Sequence, residues 1–426
     1  MTAGVPAPAR GRAEEPDAAR ARLAKQLSSS GQAESPAVRS AFLAVPRHVF
    51  LPELPPATAY QDEAFVIKHG GDGLPVSSSS QPAIMAIMLE QLGLEPGQRV
   101  LEIGTGSGYN AALMAHITGD QAAVITVDVD AEIVARARAS LARAGYGGVR
   151  VICGDGGFGD TDHAPYDRII VTAGAWSLAP DWLAQLAPGG RIVLPLSVRG
   201  IQLTVAFEAA AGSWASTSAC RCGFIRMTGA LAGPESFIPI GPQPGWSVQS
   251  DDGRALDAEG LYSALTGPAT DVPAGLRVPG LQVLSDADLW LTLTERRLIR
   301  LSLADSRPGR NTRSPLTPLG GLAQASPGAR PGELAAAALS PAAPAPGKAA
   351  QASREAQVMV RGYGPGGPAL ASYLAGQVQA WHGLGRPGAA GLSLRAFPPD
   401  AELVVSAGQV VLDRGALRLV VGWPVH

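Results

Sequence analysis

The chain has 426 residues, with 34 lysines and arginines against 36 aspartates and glutamates. That length allows two domains at the usual ~100–200 residues each, and the near-neutral balance gives no global pull toward nucleic acid or an anionic membrane surface. Three cysteines, Cys153, Cys220 and Cys222, make no disulfide framework, and with no secretory start and no run of about 18 apolar residues the expectation is a cytoplasmic protein whose partners include neither nucleic acid nor membrane.

Residues 1–17 mix Pro, Ala and charge without periodicity and read as a disordered lead-in. Short helices are expected over Ala18–Leu27 and Pro36–Val45, the second with proline at its first position and closing before Pro46. From Gln81 to about Glu208, helical stretches alternate with short apolar runs at Arg99–Ile103, Ala123–Val127, Val149–Cys153, Arg168–Val171 and Arg191–Pro195. That alternation predicts a mostly parallel sheet covered on both faces, in one α/β domain over 18–210. An accessory region over 211–304 follows, with a strand expected at Leu289–Thr294. Residues 305–353 are dominated by Ala, Pro, Gly, Ser and Arg and read as a flexible insertion. The accessory region resumes over 354–426 with an apolar run at Val358–Val360, a helix at Ala369–Trp381 and strands at Leu392–Ala396 and Leu417–Trp423. The two flanks then close one small α+β unit around the insertion.

The segment Val100-Leu101-Glu102-Ile103-Gly104-Thr105-Gly106-Ser107-Gly108-Tyr109 is an apolar strand entering a glycine-rich turn before the helix Asn110–His116. Such a turn lets a cofactor approach the backbone at a helix N-terminus. Dinucleotide sites favour Gly-x-Gly-x-x-Gly, whereas the third glycine comes one residue early and an acid lies two residues before the first. About 20 residues on, Asp128 ends the next apolar run, where ribose hydroxyls are expected; Asp130 suits a helix cap better. Asp155 and Gly156 end a third strand, where the carboxylate either meets an adenine amino group or only shapes a turn. The strand Tyr166–Val171 should bring Thr172 to the same crevice.

Upstream, Ser77-Ser78-Ser79-Ser80-Gln81-Pro82 leads into a helix with an apolar face of Ile84, Met85, Ile87, Met88 and Leu92. Ser80 at its N-terminus either helps to hold a substrate carboxylate there or merely caps the helix. The six histidines show no metal-ligand spacing, and Cys220-Arg221-Cys222 lacks a second cysteine pair, so no metal is expected.

Pro46-Arg47-His48-Val49-Phe50-Leu51-Pro52-Glu53, Ala59-Tyr60-Gln61-Asp62, Ser80-Gln81-Pro82 and Leu101–Tyr109 together resemble the protein-L-isoaspartate O-methyltransferase family over about residues 36–208. The resemblance implies a class I methyltransferase fold, a Rossmann-like doubly wound seven-stranded mixed sheet with a smaller α+β C-terminal extension, and S-adenosyl-L-methionine at the C-terminal ends of its strands. It implies Ser80 as the active-site residue and Glu102, Gly104, Thr105, Gly106, Gly108, Asp128, Asp155, Gly156 and Thr172 around the cofactor, Glu102 near its methionine portion. The implied reaction is methyl transfer to an isoaspartyl or side-chain carboxylate of a protein or peptide, whose ester can then close to a succinimide. The chain departs from the family's Gly-x-Gly-x-Thr-Ile-Ser pattern with Gly70-Gly71-Asp72-Gly73-Leu74-Pro75 and four serines, and it continues for about 200 residues past the sheet. In both respects it resembles an extended actinobacterial branch associated with ribosomally made peptide natural products. Maturation of such a peptide by aspartate methylation is the alternative function, with the extension holding the peptide. Nicotinamide chemistry is disfavoured by the glycine spacing.

Overall fold

A computed structural model describes residues 15–71, 73–242, 246–250, 255–278, 282–303, 321–323, 336–341 and 356–424. Most of the lead-in and of the insertion expected at 305–353 lies outside these residues. The chain opens with α1 (Pro16–Ser29), α2 (Pro36–Ala44) and the single turn α3 (Pro56–Ala59), then the antiparallel hairpin β1 (Phe65–His69) and β2 (Pro75–Ser79). The expected alternation follows: α4 (Pro82–Leu92), β3 (Val100–Ile103), α5 (Tyr109–Thr118), β4 (Val124–Asp128), α6 (Ala131–Arg143), β5 (Arg150–Cys153), β6 (Tyr166–Val171), α7 (Pro180–Ala184) and β7 (Leu186–Val198). Two long antiparallel strands, β8 (Ile201–Ala210) and β9 (Ser213–Cys222), complete the run.

Strands β5, β4, β3, β6 and β7 are parallel neighbours in that order, and β8 and β9 extend the sheet antiparallel beside β7. The chain reverses its spatial order at β3, so the crevice at the C-terminal ends of β3 and β6 is the topological switch point where ligands bind in such sheets. Alternate residues of each strand feed opposite cores. Val100, Val124, Ile170 and Val193 pack with α1, α2, α4 and α5, whereas Leu101, Ile103, Ile125, Val127, Ile169 and Val171 pack on the other face around Trp182.

The remainder comprises β10 (Ser236–Pro239), β11 (Trp246–Ser250), α8 (Ala258–Thr266), β12 (Ala269–Val278), α9 (Gln282–Thr294), β13 (Leu298–Leu303), β14 (Gly321–Ala323), β15 (Ala336–Pro341), β16 (Ala356–Tyr363), α10 (Gly367–Gly383), β17 (Ser393–Phe397), β18 (Gln409–Asp413) and β19 (Arg418–Gly422). A second sheet runs β10-β11-β13-β14-β15-β16-β12. The last three strands do not join it. β17 pairs with β9, β19 with β17 and β18 with β19, so the expected seven-stranded sheet sits within one of ten strands. A boundary at 210 falls in the turn of the β8–β9 hairpin, and the C-terminal flank adds strands to the first sheet as well as building a unit of its own.

One expected element has the wrong type. Leu289–Thr294 is not a strand but the last part of α9. Leu289-Trp290-Leu291-Thr292-Leu293-Thr294 alternates in composition, but the helix is buried on two sides: Leu289 and Leu293, four apart, enter the core of the first sheet, while Leu284, Ala287, Trp290 and Leu291 enter that of the second. Arg221 of β9 adds an ion pair to Asp288 (2.9 Å) and a hydrogen bond to the Ser285 carbonyl (2.7 Å). No described helix is long and apolar enough to cross a membrane.

Candidate active site

The switch-point crevice is a cavity of about 480 Å³. Ser80, Glu102, Gly104, Thr105, Gly106, Asp128, Asp155, Gly156 and Thr172 all line it. Gly108 does not. Its φ of +84° starts α5, and a Cβ there would lie 3.3 Å from the Leu141 Cγ and 3.4 Å from the Ala137 Cβ, so turn geometry and helix packing already call for glycine at this position. Gly104, by contrast, is part of the cradle: at φ +101° its missing side chain leaves room for the Thr172 hydroxyl, 2.6 Å from where a Cβ would stand, and that hydroxyl donates to the Gly104 carbonyl at 2.6 Å.

The acids are held by short, local contacts. Asp128 accepts from the backbone N–H groups of Thr105 (3.1 Å) and Gly106 (3.2 Å) through one oxygen and from that of Asp130 (3.1 Å) through the other. It therefore braces the glycine turn from the end of the neighbouring strand, and partial burial raises its pKa. Glu102 is fully buried and accepts from Asn110 Nδ2 (2.8 Å) and the Thr126 hydroxyl (2.7 Å). Desolvation outweighs those two bonds and pushes its pKa up to about 7. Asp130 caps α6 through the N–H groups of Glu132 and Ile133, the role the sequence suggested for it. Asp155 accepts from Gly157 N–H (2.8 Å) and Ala230 N–H (2.9 Å), so it shapes its own turn and also ties down the segment after β9. That segment runs beside the end of β6, bonded through Gly174 N–H to the Ile225 carbonyl and Met227 N–H to the Gly174 carbonyl, and Phe224–Thr228 form a wall of the cavity.

Ser77–Ser79 belong to β2 rather than to a loop, and Ser80 links that strand to α4. Ser80 does not cap the helix. Gln81 holds the N-cap position, and the Asp62 carboxylate accepts from Ala83 N–H (2.8 Å) and Gln81 Nε2 (3.1 Å). The helix terminus is thus already matched by an acid of the chain, and no described residue hydrogen-bonds to the Ser80 hydroxyl. Arg47, fully buried, donates to the carbonyls of Gln61, Glu63 and Ser80, each at 3.0 Å, between the rings of Phe65 and Tyr109. Burial lowers its pKa to about 10, which leaves it cationic at neutral pH. Lys68 of β1 bridges Asp130 (2.7 Å) and Glu132 (2.7 Å), and Arg136 donates to the Ile67 carbonyl (3.1 Å), fastening the hairpin over the cavity onto α6. The sequence motifs contained Arg47 and Asp62 without revealing their partners, because those partners lie on separate segments.

A cavity floored by a glycine turn and lined by Glu102, Asp128 and Asp155 suits a cofactor with a cationic sulfonium and a ribose diol. The family profile described as protein-L-isoaspartate(D-aspartate) O-methyltransferase matches residues 18–232, half of the chain. A protein-L-isoaspartate O-methyltransferase of Methanopyrus kandleri is 43% identical over 185 residues, covering 43% of this chain and 79% of the relative. One from Hyperthermus butylicus is 39% identical over 220 residues, covering 50% and 89%. A Thermotoga maritima relative is 40% identical over 162 residues, and the match spans 38% of this chain and about half, 51%, of that protein. A solved protein-L-isoaspartate O-methyltransferase aligns with 88% of this chain and 96% of its own at a TM-score of 0.47 and 24% identity. The chain belongs to the protein-L-isoaspartate(D-aspartate) O-methyltransferase family of S-adenosylmethionine-dependent enzymes.

Proposed function

We propose that this chain methylates the free α-carboxylate of an L-isoaspartyl residue, or the side-chain carboxylate of a D-aspartyl residue, in a protein or peptide substrate, with Ser80 at the reacting carboxylate and Glu102, Gly104, Thr105, Gly106, Asp128, Asp155, Gly156 and Thr172 around the cofactor. The observation that carries this reading is the position of Ser80: its carbonyl is pinned by Arg47, the helix after it is capped by Asp62, and the residue lines the acid-walled cavity. S-adenosylmethionine supplies an electrophilic methyl group; a carboxylate oxygen forms the new C–O bond as the sulfur–methyl bond breaks and its electron pair remains on sulfur. A carboxylate of pKa about 4 is ionised at neutral pH, so no residue has to remove a proton. The chain's task is alignment and exclusion of water, which together can lower a barrier by roughly 7–11 kcal/mol. Ser80 donates its hydroxyl to one substrate oxygen, Met85 and Met88 give an apolar floor, and the hairpin β1–β2 shuts out solvent. The resulting ester can close to a succinimide when the next backbone nitrogen displaces methanol.

The test is transfer of label from S-adenosylmethionine to two matched unstructured peptides, one with isoaspartate and one with ordinary aspartate. Label on the isoaspartyl peptide alone is the expected result. An enzyme that binds S-adenosylhomocysteine yet labels neither peptide would overturn the proposal.

A further inference from the structure

A second cavity of about 1360 Å³ opens between the outer end of the ten-stranded sheet and the accessory unit. It exceeds the roughly 300–1,000 Å³ usual for small ligands. Among the described residues that line it are four arginines, Arg199, Arg296, Arg300 and Arg414, and one carboxylate, Asp413. The Arg414 guanidinium lies 3.5 Å from the centre of the Trp176 ring, an arrangement that holds its planar face in a fixed direction. Arg300 is anchored by both oxygens of Asp288, at 3.2 Å each.

The cavity is also lined by a strand at the end of the sheet. Among the described residues β18 ends the sheet, with β19 on one side and no strand on the other. Side chains alternate across a strand, so a ligand lying on one face of β18 would meet every second residue. Instead Gln409, Val410, Val411, Leu412 and Asp413 line the cavity consecutively, the pattern of a strand that presents its edge rather than one face. Val405 and Val411, 43% and 42% exposed, add apolar surface. An open edge with backbone donors and acceptors, next to arginines, matches strand addition by an extended acidic polypeptide.

The two cavities are linked by short stretches of chain. Thr172 and Thr228 line the cofactor cavity, and Trp176 and Ala232, four residues further along the same two segments, line the second. Four extended residues span at most about 14 Å. We infer that this cavity binds an acidic, extended segment of the polypeptide substrate as an added strand on β18, holding the substrate while its target carboxylate reaches Ser80. The inference rests on the methyl-transfer reading for what the anchored chain is for, but not for whether it binds.

The experiment uses the full chain and a fluorescent peptide of about twelve alternating glutamates and valines, followed by anisotropy. Binding is expected, weakened by salt and reduced at least about tenfold in Arg199→Glu/Arg296→Glu, while a lysine–valine peptide binds poorly. Unchanged S-adenosylhomocysteine affinity in the double variant shows that it is folded. Fusing the acidic peptide through a flexible linker to an isoaspartyl residue should lower KM at least about tenfold relative to the short isoaspartyl peptide, with kcat unchanged, and the double variant should cancel that gain without losing activity on the short peptide. Equal peptide affinity in wild type and variant, equal binding of the lysine–valine peptide, or tighter arginine-dependent binding of a single-stranded oligonucleotide would overturn the inference. If the acidic peptide binds but no isoaspartyl peptide is methylated, the proposed function fails and the cavity stands; if methylation proceeds but the acidic peptide does not bind, the reverse holds.

Discussion

The two cavities are built from opposite charges and by opposite means. The smaller is walled by carboxylates at strand ends and by backbone N–H groups of one turn, and its acids are braced through contacts of about 3 Å within the same few segments. The larger is walled by arginines and a strand edge gathered from segments more than 200 residues apart. The first is therefore rigid by local construction and suits one small cationic cofactor, whereas the second offers length and positive charge, suited to variable chains. The lesson is one of construction: a cavity at strand termini is assembled from neighbouring segments, and one at the far edge of the sheet from distant ones.

Substitutions in the smaller cavity should change cofactor or turnover without touching acidic-peptide binding, which sharpens the contrast. The largest effect is expected from Gly104→Ala. Its φ of +101° and the close Thr172 hydroxyl together cost about 3 kcal/mol, so calorimetry should find cofactor affinity reduced roughly 100-fold or more. Ser80→Ala should lower kcat roughly 50-fold with cofactor affinity unchanged, as expected for a donor that acts only on the reacting carboxylate; an unaltered kcat would remove Ser80 from the reaction. Asp128→Asn keeps the shape but loses the charge on the bonds to Thr105 and Gly106, and should weaken cofactor binding by roughly 20-fold.

Glu102 gives a pH dependence whose sign can be worked out. Its pKa rises on folding from an ordinary 4.5 to about 7, so the native state holds the proton more tightly across that interval. Its contribution to stability is full below about 4.5 and is lost as pH rises through about 7. A cationic cofactor favours the ionised form, so S-adenosylmethionine affinity should fall up to about tenfold between pH 8 and pH 6, and Glu102→Gln should flatten the profile. The smallest change is expected at the exposed clasp. Lys68→Ala should raise the cofactor dissociation rate only about two- to threefold, with the difference vanishing at high salt. Loss of acidic-peptide binding in any of these variants would break the contrast between the two cavities.

The smaller cavity was legible in the sequence because its parts follow one another: an apolar strand, a glycine turn, then an acid at the end of each next strand. Gly108 lies outside the lining of that cavity, and glycine at positive φ serves turn packing and ligand approach alike, so the motif alone does not show its contacts with Ala137 and Leu141. Arg47 and Asp62 stood inside recognised motifs, yet their work depends on Gln61, Glu63, Ser80 and Ala83 being folded around them. The strand expected at Leu289–Thr294 failed because burial on two sides erases the polar face by which a helix is read. Of the C-terminal strands β17 and β19 were visible and β18 was missed, and nothing in their alternation says which sheet they join. The arginine cavity has no sequence signature for the same reason.

The position of α9 between two cores has a practical consequence for anyone seeking a minimal enzyme. Cutting the chain where the family likeness ends, at residue 232, would strip Leu289, Leu293, Leu394 and Leu419 from the core of the catalytic sheet and leave β9 with a bare edge. Such a fragment should aggregate rather than work. The appendage and the methyltransferase sheet therefore share one core and are best expressed and engineered as one piece.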